Sequence, residues 1–121
     1  MQTMIDWYIH VISNYAQFKG RAGRAELWYF ALASMLINLA LGVFERLILG
    51  NQLLSVLYGF ALFVPNIAVT ARRLHDTDRS GWWQLLALVP LIGWIVLIVF
   101  LALEGQPTEN RFGPIPRSTP N

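Results

Sequence analysis

Three long apolar runs dominate the pattern of hydrophobic and polar positions along the chain. The first covers residues 27–49, uncharged up to the pair Glu45-Arg46, the second residues 53–71, and the third residues 82–103. At a rise of about 1.5 Å per residue, their uncharged parts reach roughly 27, 28 and 33 Å, close to the roughly 30 Å of a bilayer's hydrocarbon core. The third run has no polar face of the kind seen in soluble helix bundles, so the pattern predicts three transmembrane helices.

Residues 4–19 have the pattern of an amphipathic helix. Their polar side chains between Asp6 and Gln17 fall within an arc of about 100° on a helical wheel, and apolar side chains fill the rest. We therefore expect an interfacial helix along the cytoplasmic leaflet, although packing of this helix on the transmembrane bundle fits the pattern equally well. Residues 104–121 hold four of the six prolines and are predicted to form an irregular tail.

Composition agrees with a membrane protein and narrows the possible chemistry. The chain is 55% hydrophobic and 13% charged, whereas a soluble domain carries about 25% charged residues. Its 121 residues form one membrane domain, and a net charge of +2 is too small to indicate nucleic-acid binding. Because cysteine is absent, the chain has no disulfide, no thiolate nucleophile and no cysteine-ligated metal.

The distribution of basic residues predicts the orientation. With three spans, the N-terminal segment and the loop between the second and third spans lie on one side and hold six basic residues, whereas the other side holds Arg46, Arg111 and Arg117. The positive-inside rule then places the N-terminus in the cytoplasm and the C-terminus in the periplasm. A second interpretation stays open: a re-entrant hairpin at residues 89–93, around Pro90, would return the tail to the cytoplasm.

Two polar clusters lie on the predicted cytoplasmic side, one before the first span and one after the second. They contain the arginines Arg21, Arg24, Arg72, Arg73 and Arg79, and the polar residues Glu26, His75 and Asp76. Guanidinium groups bind phosphate through paired hydrogen bonds, so these arginines predict a site for an anionic lipid head group or for a partner protein, supported by the three polar residues. The alternative is that the arginines only set the topology and form internal salt bridges.

Other polar residues suggest further chemistry. A carboxylate often orients a histidine that acts as a general base, so His75 and Asp76 raise the possibility of catalysis or of a metal site. Adjacent residues point in different directions, however, and the second histidine, His10, lies on the N-terminal helix. We therefore predict no catalytic residue, no metal and no cofactor. Asn38 and Asn66, at membrane depth, indicate either hydrogen bonds between helices or a solute path.

The same motifs resemble a known family. They comprise Phe18, Gly20, Arg21, Arg24, Glu26 and Trp28, then Arg72-Arg73-Leu74-His75-Asp76, Ser80-Gly81-Trp82-Trp83, Pro90-Leu91-Ile92-Gly93-Trp94 and Asn110-Arg111-Phe112-Gly113-Pro114. This combination is similar to that of the small bacterial inner-membrane proteins typified by YhaH and YhaI, a domain-of-unknown-function family. The resemblance implies an inner-membrane location and several spans, and it implies no known activity. Asp78 stands where glycine is expected, which puts the turn of its loop in question.

Three hypotheses follow. The leading one is an all-α inner-membrane protein, not an enzyme, that binds membrane lipids or a protein partner through its arginines. Three helices enclose no channel, so a homo-oligomer or a larger membrane complex is expected. The second hypothesis is an oligomeric solute pathway, and the third is a lipid-active membrane enzyme that uses His75 and Asp76.

Overall fold

A computed structural model of the protein describes residues 2–116, which form helices and connecting loops without a β-strand. The helices are α1 (Gln2–Ser13), α2 (Arg24–Phe44), α3 (Leu53–Ala61), α4 (Phe63–Asp76), a 3₁₀ helix (Gly81–Leu88) and α5 (Ile92–Ala102). A π-helical turn, Glu45–Leu49, extends α2. The prediction of an all-α protein is confirmed. Arg117 and the rest of the predicted tail lie outside the described residues.

Two helical segments are long and apolar enough to cross a membrane, Arg24–Leu49 and Leu53–Asp76. They contain the first two predicted spans and extend beyond them by a turn at the end that carries the arginines. Leu62 alone separates α3 from α4, three residues before Pro65, which has no N–H to donate to the preceding turn. The helical path nevertheless continues, because Leu62 N–H donates to the Tyr58 carbonyl at 3.0 Å.

The third apolar run differs from the prediction, because it is not one continuous helix over residues 82–103. It divides into the 3₁₀ helix and α5, whose 11 residues reach only about 17 Å at 1.5 Å per residue. Between them Pro90 supplies no N–H and disfavours a helical conformation at the preceding residue. Leu91 has a φ of 66°, and Ile92 N–H donates to the Pro90 carbonyl at 2.8 Å, which closes a three-residue turn.

The two arms of this broken run fold onto each other, and we call residues 81–102 the hairpin. A Cβ atom at Gly93 would overlap the Leu86 carbonyl, so the close approach of the arms requires glycine there. The Trp94 indole N–H donates to the Ala87 carbonyl at 2.8 Å. The 3₁₀ arm also packs against α4. Among residues 2–116 the structure therefore describes two, rather than three, segments of membrane-crossing length.

Helix α1 packs on the bundle, which is one of the two alternatives that its sequence left open. Trp7 and Val11 are buried, and the Tyr8 ring stacks on Phe30 with 5.6 Å between centroids. The Tyr8 hydroxyl lies 2.8 Å from that of Tyr58. The helix ends at Ser13 rather than at residue 19, and its contact with lipid stays a prediction.

Burial is concentrated at one end of the molecule. The buried apolar cluster joins α1, α2 and α4 and consists of Val11, Ala22, Leu27, Phe30, Leu62 and Val69. Helix α3, by contrast, has no buried residue, and most large apolar side chains of α5 are exposed. An apolar surface of this extent is typical of a face that meets lipid rather than water. The packed end is the one that carries the arginine motifs.

Candidate functional site

The end of α4 is built around a shared carboxylate. Asp76 accepts a hydrogen bond from Arg21 Nε at 2.9 Å and another from Arg73 Nη1 at 2.8 Å, and all three side chains are buried. Arg73 and Asp76 share a helix face because they are three residues apart. Arg21 reaches them from the loop before α2. The carboxylate therefore links the N-terminal loop to the last turn of α4.

A second buried ion pair lies beside the first. Arg72 Nη1 donates to the Glu26 carboxylate, and Arg72 Nε donates to the Gln17 carbonyl at 3.0 Å. His10 Nε2 is 3.7 Å from Glu26 Oε2. Arg72 and Glu26 are 3% and 2% exposed, so removing either partner would leave a buried charge without its counter-ion. We call Arg21, Glu26, Arg72, Arg73 and Asp76 the arginine network.

The arginine network also binds the C-terminal tail. Arg21 donates to the Thr108 carbonyl at 2.7 Å and to the Gln106 carbonyl at 2.6 Å. In return, Gln106 N–H donates to the Asp76 carbonyl at 2.9 Å. A Cβ atom at Gly105 would overlap the Asp76 carboxylate, so the tail passes too close for any other residue. Guanidinium groups therefore hold the described part of the tail in place.

Arg73 fixes the exit of the hairpin in the same way. Its Nε donates to the Leu101 carbonyl at 3.0 Å, and its Nη2 donates to the Leu103 carbonyl. These carbonyls lie at the end of α5, where no further helical turn supplies donors. One buried arginine therefore caps α5 and joins it to α4.

The last turn of α4 makes a second set of contacts with the tail. The His75 ring stacks on Phe112 at 4.0 Å between centroids and 1° between planes, and its Nδ1 is 2.8 Å from the Gly20 carbonyl. The Asn110 amide donates to the His75 carbonyl at 2.9 Å. His75 therefore contacts both the N-terminal loop and the tail.

The conformation of Asp78 shows what turn the loop makes at the position where the family pattern has glycine. Its φ is 61°, in the left-handed region that glycine favours and aspartate tolerates. Arg111 Nε donates to its carboxylate, and Arg111 Nη2 to its carbonyl, both at 3.1 Å. The turn therefore has the conformation that a glycine would adopt, and the aspartate adds a contact to the tail.

Not all of the predicted site residues come together. Arg21, Arg72 and Arg73 are buried beside Glu26, Asp76 and His75, and the arrangement of these three arginines corresponds to the alternative of internal salt bridges. Arg24 is exposed and lies outside the arginine network. The Arg79 guanidinium lies 4.1 Å from the centre of the Phe100 ring. Binding of an anionic group stays a prediction.

The residues considered for catalysis or metal binding and those considered for a solute path lie in separate parts of the structure. The side chain of Asp76 bonds to arginines, whereas that of His75 bonds to a backbone carbonyl. Within residues 2–116, no group of three or more histidine, aspartate or glutamate side chains is placed to hold a metal ion. Asn66 is exposed and donates to the Leu62 carbonyl at 2.9 Å, while Asn38 is exposed on α2.

The sequence reasoning missed Glu45 at the opposite end. This carboxylate is fully buried and accepts hydrogen bonds from Leu54 N–H at 2.6 Å and Ser55 N–H at 3.0 Å. It therefore caps the first turn of α3, where backbone donors have no helical partner. The available signal was a carboxylate within an otherwise apolar run.

Two cavities flank the arginine network. The larger one, of about 710 Å³, is mostly apolar and lies between α4, the 3₁₀ arm of the hairpin and Phe18. The smaller one, of about 310 Å³, is lined by His10, Asn14, Gln17, Arg21, Glu26 and Arg72. We call them the apolar groove and the polar cavity. Neighbouring residues of the chain line different cavities. Gln17 lines the polar cavity and Phe18 the apolar groove, and likewise Arg72 lines the polar cavity and Ala71 the apolar groove.

Two apolar segments of membrane-crossing length, with buried ion pairs gathered at one end, define a small all-α membrane protein. Residues 15–114 match the family described as "Protein of unknown function (DUF805)". The chain belongs to this family, which confirms the resemblance seen in its motifs.

The most similar relatives include two proteins of Escherichia coli (strain K12). Inner membrane protein YhaH is 46% identical over 121 residues, which cover 96% of this chain and 100% of that protein. Inner membrane protein YhaI is 49% identical over 115 residues, covering 93% and 97%. No solved structure matches the chain. The names of these relatives agree with the predicted inner-membrane location and state no activity.

Proposed function

We propose that the protein is a non-enzymatic inner-membrane protein that binds a lipid acyl chain in the apolar groove. The observation that carries this proposal is the groove itself, a space of about 710 Å³ beside the hairpin. Its walls are mostly apolar side chains from Phe18, α4 and the 3₁₀ arm, including Phe63, Ile67, Ala71, Trp82, Leu85 and Leu88. Sites for small molecules are typically concave, mostly apolar and provided with a few polar groups.

The proposal includes a topology of two spans and a re-entrant hairpin. The tail contacts Arg21, His75 and Asp78, so it lies on the same side as the N-terminal loop and the loop after α4. A third crossing would instead separate the tail from these loops by about 30 Å of hydrocarbon. The positive-inside rule places this shared side in the cytoplasm.

The chemistry of the groove favours an acyl chain as its occupant. The groove is enclosed by segments of the apolar runs, so hydrocarbon rather than water surrounds it. Its polar side chains are His75, Ser80 and Gln84. They follow or begin the apolar segments, at the level where a lipid's polar end would lie. Trp82, also in the lining, is of the type enriched at that level of a membrane.

The arginine network does not line the apolar groove, but it supports lipid binding by holding the elements that do. Arg72 and Arg73 follow Ala71, which lines the groove, and Arg73 also holds the end of α5 through two carbonyls. The same network anchors the tail against the last turn of α4. Its effect is to hold the hairpin against α4, so that the groove keeps its shape.

The test is to fill the groove. Ala87 lines it and is exposed, so Ala87→Trp adds bulk there with little cost to folding. Ala40→Trp, on an exposed position of α2 outside the groove, is the matched control. Native mass spectrometry of protein purified in mild detergent should show one fewer bound lipid per chain for Ala87→Trp than for the wild type or Ala40→Trp. Equal lipid numbers in all three proteins would contradict the proposal, as would a bound polypeptide in place of lipid.

A further inference from the structure

The arginine network carries an unbalanced charge. It contains three guanidinium groups, those of Arg21, Arg72 and Arg73, and two carboxylates, those of Glu26 and Asp76. One positive charge is therefore left over among side chains that are at most 7% exposed. Burying a charge without a counter-ion is costly, because the loss of hydration is not repaid.

One end of Arg72 indicates where the missing negative charge would bind. Its Nε and Nη1 donate to Gln17 and Glu26, but its buried Nη2 has no hydrogen-bond partner within residues 2–116. Arg72 is 3% exposed and lines the polar cavity. Buried donors are nearly always paired, so an unpaired guanidinium nitrogen beside a cavity points to a ligand that accepts its hydrogen bond.

The other walls of the polar cavity suit an oxyanion. The amide groups of Asn14 and Gln17 each donate one hydrogen bond within the protein, to the carbonyls of His10 at 2.8 Å and Lys19 at 3.3 Å, and each keeps a second N–H for a ligand. Arg21 contributes a second positive charge. Glu26 is the one carboxylate in the lining, and it is already paired with Arg72 and lies near His10. A volume of about 310 Å³ is ample for a phosphate group with some of its water.

We infer that the polar cavity binds one phosphate group through Arg72 Nη2, with Asn14 and Gln17 as further donors. The phosphate belongs either to a lipid head group or to a free phosphorylated solute. This site is separate from the apolar groove, so each is tested by its own variants.

The test introduces a carboxylate into the polar cavity by mutation, in place of the negative charge that a phosphate would bring. Gln17→Glu places a carboxylate on the cavity wall with almost no change of shape. Gln106→Glu is the matched control, because it adds the same charge to the tail, on an exposed side chain outside the cavity lining. Inorganic phosphate is titrated into each protein in dodecyl maltoside, which carries no phosphate, and the Tm is recorded at constant ionic strength.

Phosphate should raise the Tm of the wild type and of Gln106→Glu by several degrees and then saturate, because a ligand that binds the folded state stabilises it. Gln17→Glu should lose this response and melt above the wild type without phosphate. Asn14→Asp, on the same wall, should also lose the phosphate response, but its Tm without phosphate should not rise in the same way, because it loses the hydrogen bond from Asn14 Nδ2 to the His10 carbonyl. An unchanged wild-type Tm, or equal phosphate responses in the wild type and both cavity variants, would overturn the inference.

A second arm separates the two sources of phosphate. Phosphatidylglycerol is added to the wild type in the same detergent before the titration. If the lipid raises the Tm and abolishes the phosphate response, the head group is the ligand, whereas a phosphate response that persists indicates a free solute. Both results support the site, whereas a protein whose Tm responds to neither compound contradicts it.

Discussion

Arg21 Nε lies 2.9 Å from Asp76 Oδ1, and both side chains are almost completely buried although they are far apart in the chain. This contact fixes the loop before α2 to the last turn of α4. The same arginine holds the tail through two carbonyls at 2.6 and 2.7 Å. The two residues therefore bring the loop before α2, the last turn of α4 and the tail together at one end of the molecule.

Replacing the shared carboxylate should be strongly destabilising. Asp76→Asn leaves Arg21 and Arg73 buried without their counter-ion, and breaking a buried ion pair from one side costs about 3–5 kcal/mol. Asp78→Asn is the matched control, because its partner Arg111 is exposed and an exposed ion pair contributes about 0–1 kcal/mol. Thermal unfolding in mild detergent measures both variants. Similar Tm values for the two would contradict the structural role of Asp76.

Docking of the tail should depend on one glycine. Gly105→Ala introduces a methyl group that overlaps the Asp76 carboxylate, so the tail should detach while the two long helices stay folded. Hydrogen exchange at the Gln106 amide, which donates to the Asp76 carbonyl, reports detachment as faster exchange.

Gly59→Ala serves as the control for the Gly105 variant, because nothing lies within 4 Å of its new methyl group. Alanine is favoured over glycine within a helix by about 0.5–1 kcal/mol, so this variant should not lose stability. Slow exchange at Gln106 in the Gly105→Ala protein would show that the tail does not pass against Asp76.

The turn of the hairpin should accept glycine. Leu91 has a φ of 66° and a ψ of −69°, the strained conformation at the centre of a γ-turn. Such a conformation costs a residue with a side chain about 1–3 kcal/mol, and glycine adopts it without this strain. Leu91→Gly should therefore leave the Tm unchanged or raise it. Leu97→Gly, within α5, should lower stability by about 1 kcal/mol. If residues 82–103 formed a single helix, both variants would destabilise the protein to a similar extent.

The long helices were predictable from the sequence, but the path of the third apolar run was not. Runs of uncharged residues as long as a bilayer is thick specify α2 and the α3–α4 segment directly. A proline within such a run fits a kinked helix and a turn equally well, since both satisfy the backbone. The decisive contacts are the close approaches of Gly93 to Leu86 and of Gly105 to Asp76, and no pattern of apolar and polar residues predicts them.

The sequence indicated which residues gather at this end of the molecule, but not which of them contact each other. The sequence grouped Arg21 with Arg24, but α2 begins at Arg24, so helical spacing does not relate these two residues and only Arg21 turns inward. Glu26 and Asp76 were expected to support the arginines, and they are paired with them. The binding of the tail by Arg21 was not foreseen, because Arg21 donates to backbone carbonyls of the tail, which every sequence provides.

The central claim is that the third apolar run folds back, so that the tail and the N-terminal loop share the cytoplasmic face. The chain contains no cysteine, so a single introduced cysteine reports its own position without further changes. Glu109→Cys marks the tail, and Gln52→Cys marks the loop between α2 and α3; both positions are exposed.

Labelling of spheroplasts with a membrane-impermeant maleimide is the most direct test. We predict that Gln52→Cys reacts in intact spheroplasts, whereas Glu109→Cys reacts only after the membrane is permeabilised. Reaction of both cysteines in intact spheroplasts would mean that the chain crosses the membrane a third time, and would contradict the hairpin and the groove beside it.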